Sequence, residues 1–279
     1  MLGRCAHNQE VNYIEDNGLL KFAGVGNVDT GILPATEVLI YGKEIIQGVI
    51  TSIPPHLSKE DKKKVKKIED LSIDCGFENR DEALKKVKLG DVVTFATKFK
   101  ILNGNICSGK SFDDRAGIVA IFYALEKLKN AEKSNNQPFI IFSDLEEIGE
   151  IGAKIASKKI KNVSAAVVVD VSFAKSTDEP KEKCGELGKG PMIGLSPTLN
   201  RSIFDKISDL STNSNIPFQL EIMAGLTSTN ADQYAMAGFP SSTISIPLRY
   251  MHTPTEVLNV DDIISTGELL AEFIIKSDL

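Results

Sequence analysis

Hydrophobic positions fall into two textures along the chain. Between residues 13 and about 95, short apolar pieces are separated by glycine and proline; they include GLLKFAGV, TEVLIYG, QGVITSI and DVVTFAT. Apolar runs of this length, bounded by turn residues, are typical of β-strands. Two stretches with a helical pattern interrupt them, a Lys-rich run at 59–70 and RDEALKKV. This part of the chain is therefore predicted to be a small β-rich module.

From about residue 96 onward, strand and helix patterns alternate. Near-continuous apolar runs predict buried strands at QPFIIFS, SAAVVVDV, FQLEIM and SSTISIPL. Helical periodicity appears in DRAGIVAIFYALEKLKNAEK, IGAKIASKKI, NRSIFDKISDLSTNS and DDIISTGELLAEFIIKS. This alternation predicts an α/β fold, in which helices cover both faces of a mostly parallel, doubly wound sheet.

Charge and composition exclude several classes of protein. The formal net charge is −6 and the chain has no basic stripe, so a nucleic-acid partner is not expected. The longest apolar runs are about ten residues, too short to span a bilayer, and the start of the chain has no apolar leader. Four scattered cysteines without a CxxC pair favour reduced thiols. We expect a cytoplasmic protein without a membrane partner.

Acidic residues and a histidine follow the predicted strands. Five such residues lie where a strand or loop meets the next element: Asp113, Glu146, Glu147, Asp170 and His252. Taken singly, an acid at such a position can cap a helix or complement its dipole. Ligands of α/β sheets gather at the carboxyl ends of strands, and clustered acids repel one another unless cations compensate them. Carboxylates with an imidazole predict a site for a divalent metal such as Zn, Co or Mn.

Five motifs identify a family resemblance. In their order and spacing, these motifs closely resemble those of the cytosolic dinuclear-metal aminopeptidases. They are GKSFDDRAG, EEIGEIGA, VVVDVSFA, LGKGPMIG and SIPLRYMHTPTEVL. The enzymes of this family are glutamyl or deblocking aminopeptidases that form tetrahedral dodecamers and are often labelled endoglucanase or cellulase M. The resemblance runs from about residue 13 to the C-terminus.

The resemblance also implies a division into domains. Residues 13–95 would be an inserted β-rich oligomerisation domain and 96–279 the metallopeptidase catalytic domain. Residues 1–12 would be a remnant of the catalytic domain. Self-association into a dimer or a dodecamer is implied.

Two divalent metal ions (Zn, Co or Mn) are implied, with roles for particular residues. Asp113 would bridge both ions, and its peptide bond to Asp114 would be cis. One ion would be shared by Glu147 and His252, and the other held by Asp170.

The resemblance makes Glu146 the general base of peptide hydrolysis. The two ions would polarise the substrate carbonyl and activate a water molecule, and Glu146 would pass the proton of this water to the leaving amine. A free α-amine binds such a site, so N-terminal residues are removed from peptides. The segment 227–235 resembles a substrate-facing segment of the family, with Asn230 where Asp is common.

The start of the chain departs from the family pattern. The family has more residues before its first ligand, which lies in an Ala-His-x-Asp-Glu motif. Here His7 is the candidate ligand, completing the metal held by Asp170, and Gln9 stands where Asp is expected. We therefore expect low or no aminopeptidase activity from the chain as it stands.

Two alternatives to an active aminopeptidase remain open. One is a truncated family member, weakly active or inactive, that has only an assembly role. The other is a glycoside hydrolase that uses Glu146 with a second acid, although the chain has no Trp to stack against sugars.

Overall fold

The computed structural model describes residues 9–24, 28–53, 65–131, 136–177 and 181–278. The chain divides into two compact units. One runs up to Lys98, and the other begins at Phe99 and holds nearly all of the remaining residues. No helix among the described residues is long and apolar enough to cross a membrane.

The first unit is a closed six-stranded barrel. Its strands are β1 (Gln9–Ile14), β2 (Leu20–Gly24), β3 (Glu37–Tyr41), β4 (Ile45–Thr51), β5 (Ser72–Asp74) and β6 (Val92–Phe95), and helix α1 (Arg80–Lys86) precedes β6. They pair antiparallel in the order β1-β2-β5-β4-β3-β6, and β1 closes on β6. Alternate side chains fill the interior, including Ile40, Ile50 and Phe95. Residues 59–64 of the Lys-rich run lie outside the described residues. In its described half, Ile68–Asp70 forms a short 3-10 helix.

The predicted boundary between residues 12 and 13 is wrong, because it falls inside β1. Gln9 pairs with Gly24 on β2 and with Val93 on β6. Residues 9–12 therefore belong to the barrel by their ladder pairing rather than to a remnant of another domain. The roles assigned to the two domains stay predictions.

The second unit has two sheets and five helices among its described residues. Its elements are β7 (Lys100–Asn103), β8 (Ile106–Gly109), α2 (Phe112–Lys129), α3 (Ile151–Lys159), β9 (Ala166–Phe173), β10 (Met192–Leu195), α4 (Arg201–Asn213), β11 (Gln219–Ile222), α5 (Asn230–Met236), β12 (Ser241–Leu248), β13 (Glu256–Asn259) and α6 (Val260–Lys276). A four-stranded sheet has the order β11-β10-β12-β9, with β10/β11 and β9/β12 parallel and β10/β12 antiparallel. A three-stranded antiparallel sheet has the order β13-β8-β7. The predicted α/β fold is confirmed.

Helices pack on both faces of β9, because successive apolar side chains of the strand point to opposite faces. Val169 and Val171 face a core shared with α2 and α6. Val168 points to the opposite face, where it packs with Ala153 of α3 and Ala231 of α5. Because side chains alternate along a strand, Asp170 shares the face of Val168.

The strand predicted at QPFIIFS is wrong. Residues 137–143 have no regular secondary structure, and Phe139 is 70% exposed. A strand exists only through its ladder of hydrogen bonds. No strand of the described chain pairs with this segment, so its apolar pattern alone does not produce one.

Candidate functional site

Two adjacent acids, Asp113 and Asp114, lie at the start of helix α2, and only Asp114 caps the helix. The Asp113–Asp114 peptide bond is cis, as the resemblance implies. Both residues have non-helical backbone angles, so the regular turns start after them. Asp114 Oδ1 accepts a hydrogen bond from the N–H of Gly117 at 2.9 Å, as an N-cap residue does. Gly117 allows this contact, because a Cβ there would lie 2.4 Å from Asp114 Oδ2. The capping predicted for one of the two acids is thus made by Asp114.

Glu146 and Glu147 lie in a hydrogen-bonded turn just before α3. The Glu146 carbonyl accepts from the N–H of Gly149 at 3.1 Å and from that of Glu150 at 2.7 Å. Leu145 and Glu150 flank the turn with φ of 59° and 55°, in the left-handed region. Non-glycine residues adopt that region at a cost, and such residues cluster at functional sites.

His252 lies in the turn that joins β12 to β13. The backbones of Arg249 and Val257 close this turn, with N–H···O distances of 2.8 and 3.0 Å. Tyr250 and His252 have φ of 57° and 65° within it. The turn therefore holds the imidazole just beyond the end of a buried strand.

Three of the predicted site residues come together. Asp113, Glu147 and His252 each offer one ligand atom, and these three atoms all lie within 4.8 Å of one another. Two carboxylates and one imidazole are a ligand set that suits Zn, Co or Mn. Asp170 is not a member of this group.

The charges of the surrounding acids connect Asp170 to the same region. Burial raises the pKa of Asp170 well above its usual range, and the negative charges of Asp114, Asp113 and Glu146 raise it further. Burial, then the charge of Asp113 and, less strongly, that of Glu146, likewise raise the pKa of Asp114, against a hydrogen bond from Gly117. Four carboxyl groups within electrostatic range of one another favour a bound cation, whose positive charge would lower these pKa values again. The residues present therefore fit a divalent metal.

Sequence reasoning missed Glu256, which supports the start of α2. This residue is fully buried, and its Oε2 accepts from the backbone N–H groups of Phe112 at 2.6 Å and Asp113 at 3.4 Å. The signal was present as an acid that opens the apolar strand EVLN, where burial demands a partner.

Asp262 fixes the loop of the LGKGPMIG motif and was also missed. Its carboxylate accepts from the N–H of Gly188 at 2.7 Å and of Gly190 at 2.8 Å. Burial raises the pKa of Asp262 to about 6, although these two hydrogen bonds oppose the change. Both glycines have positive φ, and a Cβ on Gly190 would lie 2.0 Å from the Pro217 carbonyl oxygen.

Two further sequence predictions concern Asn230 and His7. Asn230 Nδ2 donates to Ser143 Oγ at 2.9 Å, three residues before Glu146; its role toward a substrate stays a prediction. His7 lies outside the described residues, whereas Gln9 is buried on β1. The metal-binding and catalytic roles of all the site residues stay predictions.

Known proteins resemble this chain over most of its length. Residues 6–269 match the family model described as M42 glutamyl aminopeptidase. A protein of Acetivibrio thermocellus described as an aminopeptidase is 33% identical over 95% of this chain and 78% of its own. The lysyl aminopeptidase of Pyrococcus furiosus is 30% identical over 93% of this chain and 75% of its own.

Solved structures agree with these relatives. The TET aminopeptidase of Thaumarchaeota archaeon SCGC AB-539-E09 superposes with a TM-score of 0.92 at 27% identity, covering 99% of this chain and 81% of its own. The TET1 peptidase of Pyrococcus horikoshii, which can assemble into a tetrahedron or a large octahedral shell, has a TM-score of 0.84 at 30% identity. The comparison covers 97% of this chain and 81% of that peptidase.

Proposed function

The chain belongs to the M42 glutamyl aminopeptidase family, and on that premise we propose that it is a metal-dependent aminopeptidase that removes N-terminal residues from peptides. The convergence of one ligand atom each from Asp113, Glu147 and His252 within 4.8 Å carries the proposal. These side chains come from three separate segments of the chain: the start of α2, the turn before α3 and the turn after β12. A purely structural role for any one of them would not require the other two to be near.

The proposed site holds two divalent ions, of zinc, cobalt or manganese. Asp113 would be shared by both, Glu147 and His252 would complete one site, and Asp170 would belong to the other. His7, outside the described residues, is the further candidate ligand beside Asp170. When bound, the ions would polarise the scissile carbonyl and lower the pKa of a water molecule.

Glu146 acts as the general base in this proposal. Its carboxylate accepts a proton from the attacking water and passes it to the nitrogen of the leaving amine. Two features support the assignment. Glu146 is adjacent in sequence to the ligand Glu147, in a turn fixed by hydrogen bonds, and its charge raises the pKa values of Asp114 and Asp170, so it lies within electrostatic range of the site.

Asp114 and Glu256 position the ligand Asp113 without binding metal themselves. Asp114 folds back on Gly117 and caps the helix that begins after it. Glu256 accepts from the backbone N–H on the other side, at Phe112. The backbone on both sides of Asp113 is therefore fixed by charged acceptors, so that the Asp113 carboxylate needs little reorganisation to bind a cation.

Self-association through the barrel is part of the proposal, and we expect the assembly, a dimer or a dodecamer, to act on peptides in the cytoplasm. A solved neighbour, the Pyrococcus horikoshii peptidase, assembles into closed shells. The barrel exposes large apolar side chains, including Tyr41, Ile45 and Ile53, which suits a surface that another copy covers. Light scattering on the full chain should give a multiple of the chain mass. A monomer at micromolar concentration would contradict this part.

The glycoside hydrolase alternative is not favoured. The chain has no Trp and only 6% aromatic residues, whereas the relatives reported above are described as aminopeptidases. Release of reducing ends from carboxymethyl-cellulose should stay at background. Metal content of the purified protein addresses the other alternative, an inactive assembly protein, because such a protein has no need of bound metal.

The requirement for a free α-amine tests the proposed reaction. Cobalt- or zinc-loaded protein is assayed on leucyl anilide and on the same anilide with an acetylated amine. We expect hydrolysis of the first and none of the second, because the α-amine itself binds at the site. Equal hydrolysis of both would indicate a different hydrolase. No hydrolysis of either by metal-loaded protein would contradict the proposal and would favour the low or absent activity that the altered start of the chain predicts.

A further inference from the structure

A cavity lies beside the turn that carries His252. It has a volume of about 460 Å³, and its lining includes Lys175, Glu186, Arg249 and Tyr250. Its described lining residues belong to the second unit. Lys175 follows β9 and Arg249 follows β12, so the cavity opens at the same ends of two parallel strands.

The cavity is close to the proposed metal site. Tyr250 forms part of its wall and is two residues from His252, so their Cα atoms are at most about 7.6 Å apart. Arg249 is three residues from His252, which limits that separation to about 11 Å. A side chain or a terminus of a bound peptide can span such a distance.

The two cationic side chains that line the cavity differ in their partners. Lys175 Nζ lies 3.7 Å from Glu186 Oε1, so this cation has a carboxylate partner. Arg249 Nε donates to the backbone oxygen of Lys175 at 2.7 Å, which orients the guanidinium group. No described carboxylate forms an ion pair with Arg249, and a carbonyl oxygen supplies no net negative charge. Among the described residues that line the cavity, positive charges therefore exceed negative charges by one.

We propose that Arg249 binds a carboxylate group of the peptide substrate in this cavity, an inference that rests on the proposed aminopeptidase function. A guanidinium group held at Nε keeps two N–H donors in a planar fork, which matches the two oxygens of a carboxylate. The names of the relatives do not decide the matter, since the family is described as glutamyl and one relative as lysyl. The charge of the cavity favours an acidic group over a basic one.

This carboxylate has two possible sources. One is the side chain of an N-terminal Glu or Asp, and the other is the free C-terminus of a dipeptide. Two matched substrate pairs distinguish them. Glutamyl and glutaminyl anilides differ only in the side-chain charge, and leucylglycine and leucylglycine amide differ only in the terminal charge.

The variant Arg249→Gln tests the proposal. Its kcat/KM for the acidic member of one pair should fall about 10- to 100-fold, as expected for a lost charge-assisted hydrogen bond, with the neutral member nearly unchanged. The pair that responds identifies the source of the carboxylate. Arg201→Gln is the matched control, because Arg201 is a surface arginine paired with Asp205 on α4. An unchanged ratio in both pairs would overturn the proposal.

Two additional measurements make the test independent of turnover and of folding. Calorimetry with glutarate, and with glutaramide as the neutral probe, should show glutarate binding to the wild type that weakens at least about 10-fold in Arg249→Gln. Equal binding of glutarate by both proteins would overturn the proposal even if neither hydrolyses peptides. Glu186→Gln, which removes the partner of Lys175, should strengthen glutarate binding, and weaker binding would contradict the charge argument. If leucyl anilide is not hydrolysed while glutarate binding follows Arg249, then the proposed function fails, and only the binding of a carboxylate by Arg249 stands.

Discussion

The carboxylate of Glu256 accepts a hydrogen bond from the backbone N–H of Phe112 at 2.6 Å. This contact joins two segments that are 144 residues apart in the chain. Phe112 precedes the proposed ligand Asp113, and Glu256 follows His252 by four residues. A buried acid outside the proposed ligand set thus fixes the backbone at the proposed ligand Asp113.

Removing the Glu256 side chain should weaken both the fold and the metal site. In Glu256→Ala the buried N–H of Phe112 loses its acceptor, which should lower the free energy of unfolding by about 1–3 kcal/mol. Metal affinity should fall about 10-fold or more, as is usual when a group that orients a ligand is lost. Glu256→Gln, which keeps an acceptor oxygen, should lose less of both. Denaturant unfolding and metal titration measure the two effects, and an unchanged affinity in the alanine variant would show that Glu256 does not position the site.

Asp113 and Asp114 form a matched pair for a metal-binding test. Asp113→Asn should lose most of the bound metal, because it removes a proposed bridging carboxylate. Asp114→Asn should keep its metal and its fold, since Asn is as good a helix cap as Asp and retains the acceptor for Gly117. Elemental analysis after cobalt or zinc loading provides the measurement. Equal metal in wild type and Asp113→Asn would refute the ligand assignment.

Glu146→Gln should separate catalysis from metal binding. The amide cannot accept the proton of the attacking water, so kcat should fall by about 10²-fold or more while the metal content stays normal. Glu150→Gln, four residues further in the same turn, is the control and should keep kcat within about twofold of wild type, since nothing in the proposal requires Glu150 to move a proton. Near-normal turnover by metal-loaded Glu146→Gln would require a different base.

Metal binding should release protons at mildly acidic pH. Burial and neighbouring negative charges raise the pKa values of Asp114 and Asp170 well above their usual range. The metal-free protein therefore retains protons that a bound cation displaces. Calorimetric titration in buffers of different ionisation enthalpy measures this release, which should become smaller as the pH is raised. A heat that does not depend on the buffer would show that these carboxyl groups are already ionised without metal.

Stability should depend on pH through Asp262, which is not one of the proposed metal ligands. Its pKa in the folded chain, about 6, is higher than the ordinary aspartate value of 3.8. Between these values the folded chain binds more protons than the unfolded one, so the contribution of this group to stability is present below pH 4 and is lost as the pH rises through 6. As the pH is raised from 4 to 7, the Tm of the wild type should therefore fall relative to the Tm of Asp262→Asn. A difference that is constant over this range would show that the pKa of Asp262 is not raised.

Much of the fold was predictable where a local pattern and its packing agree. The apolar run SSTISIPL predicted β12 with its observed limits, and the periodicity after Asp114 predicted α2. The hairpin of β7 and β8 was missed, although the Asn-Gly pair at 103–104 is a turn signal. The strand expected at 137–143 failed for a different reason, because apolar residues predict burial but a strand also needs a neighbour with which to pair.

The candidate site was predictable in its residues but not in its geometry. Residue types and motif order indicated Asp113, Glu147 and His252, and the structure brings one ligand atom from each together. The division of labour between Asp113 and Asp114 depends on how Asp114 folds back on Gly117, which no one-dimensional pattern contains. Glu256 and Asp262 act on residues far away in sequence, so their partners become visible only once the chain is folded.

Removal and replacement of metal would show whether hydrolysis by this protein depends on a bound metal ion. The protein is treated with a chelator, dialysed and assayed on leucyl anilide before and after addition of cobalt or zinc, with Glu146→Gln treated in parallel. We predict that hydrolysis by the wild type disappears on chelation and returns with metal, whereas Glu146→Gln binds the same amount of metal and regains no more than about one hundredth of the wild-type rate. Hydrolysis that survives chelation would contradict the metal dependence, and hydrolysis that returns equally in Glu146→Gln would contradict the role of Glu146 as the base.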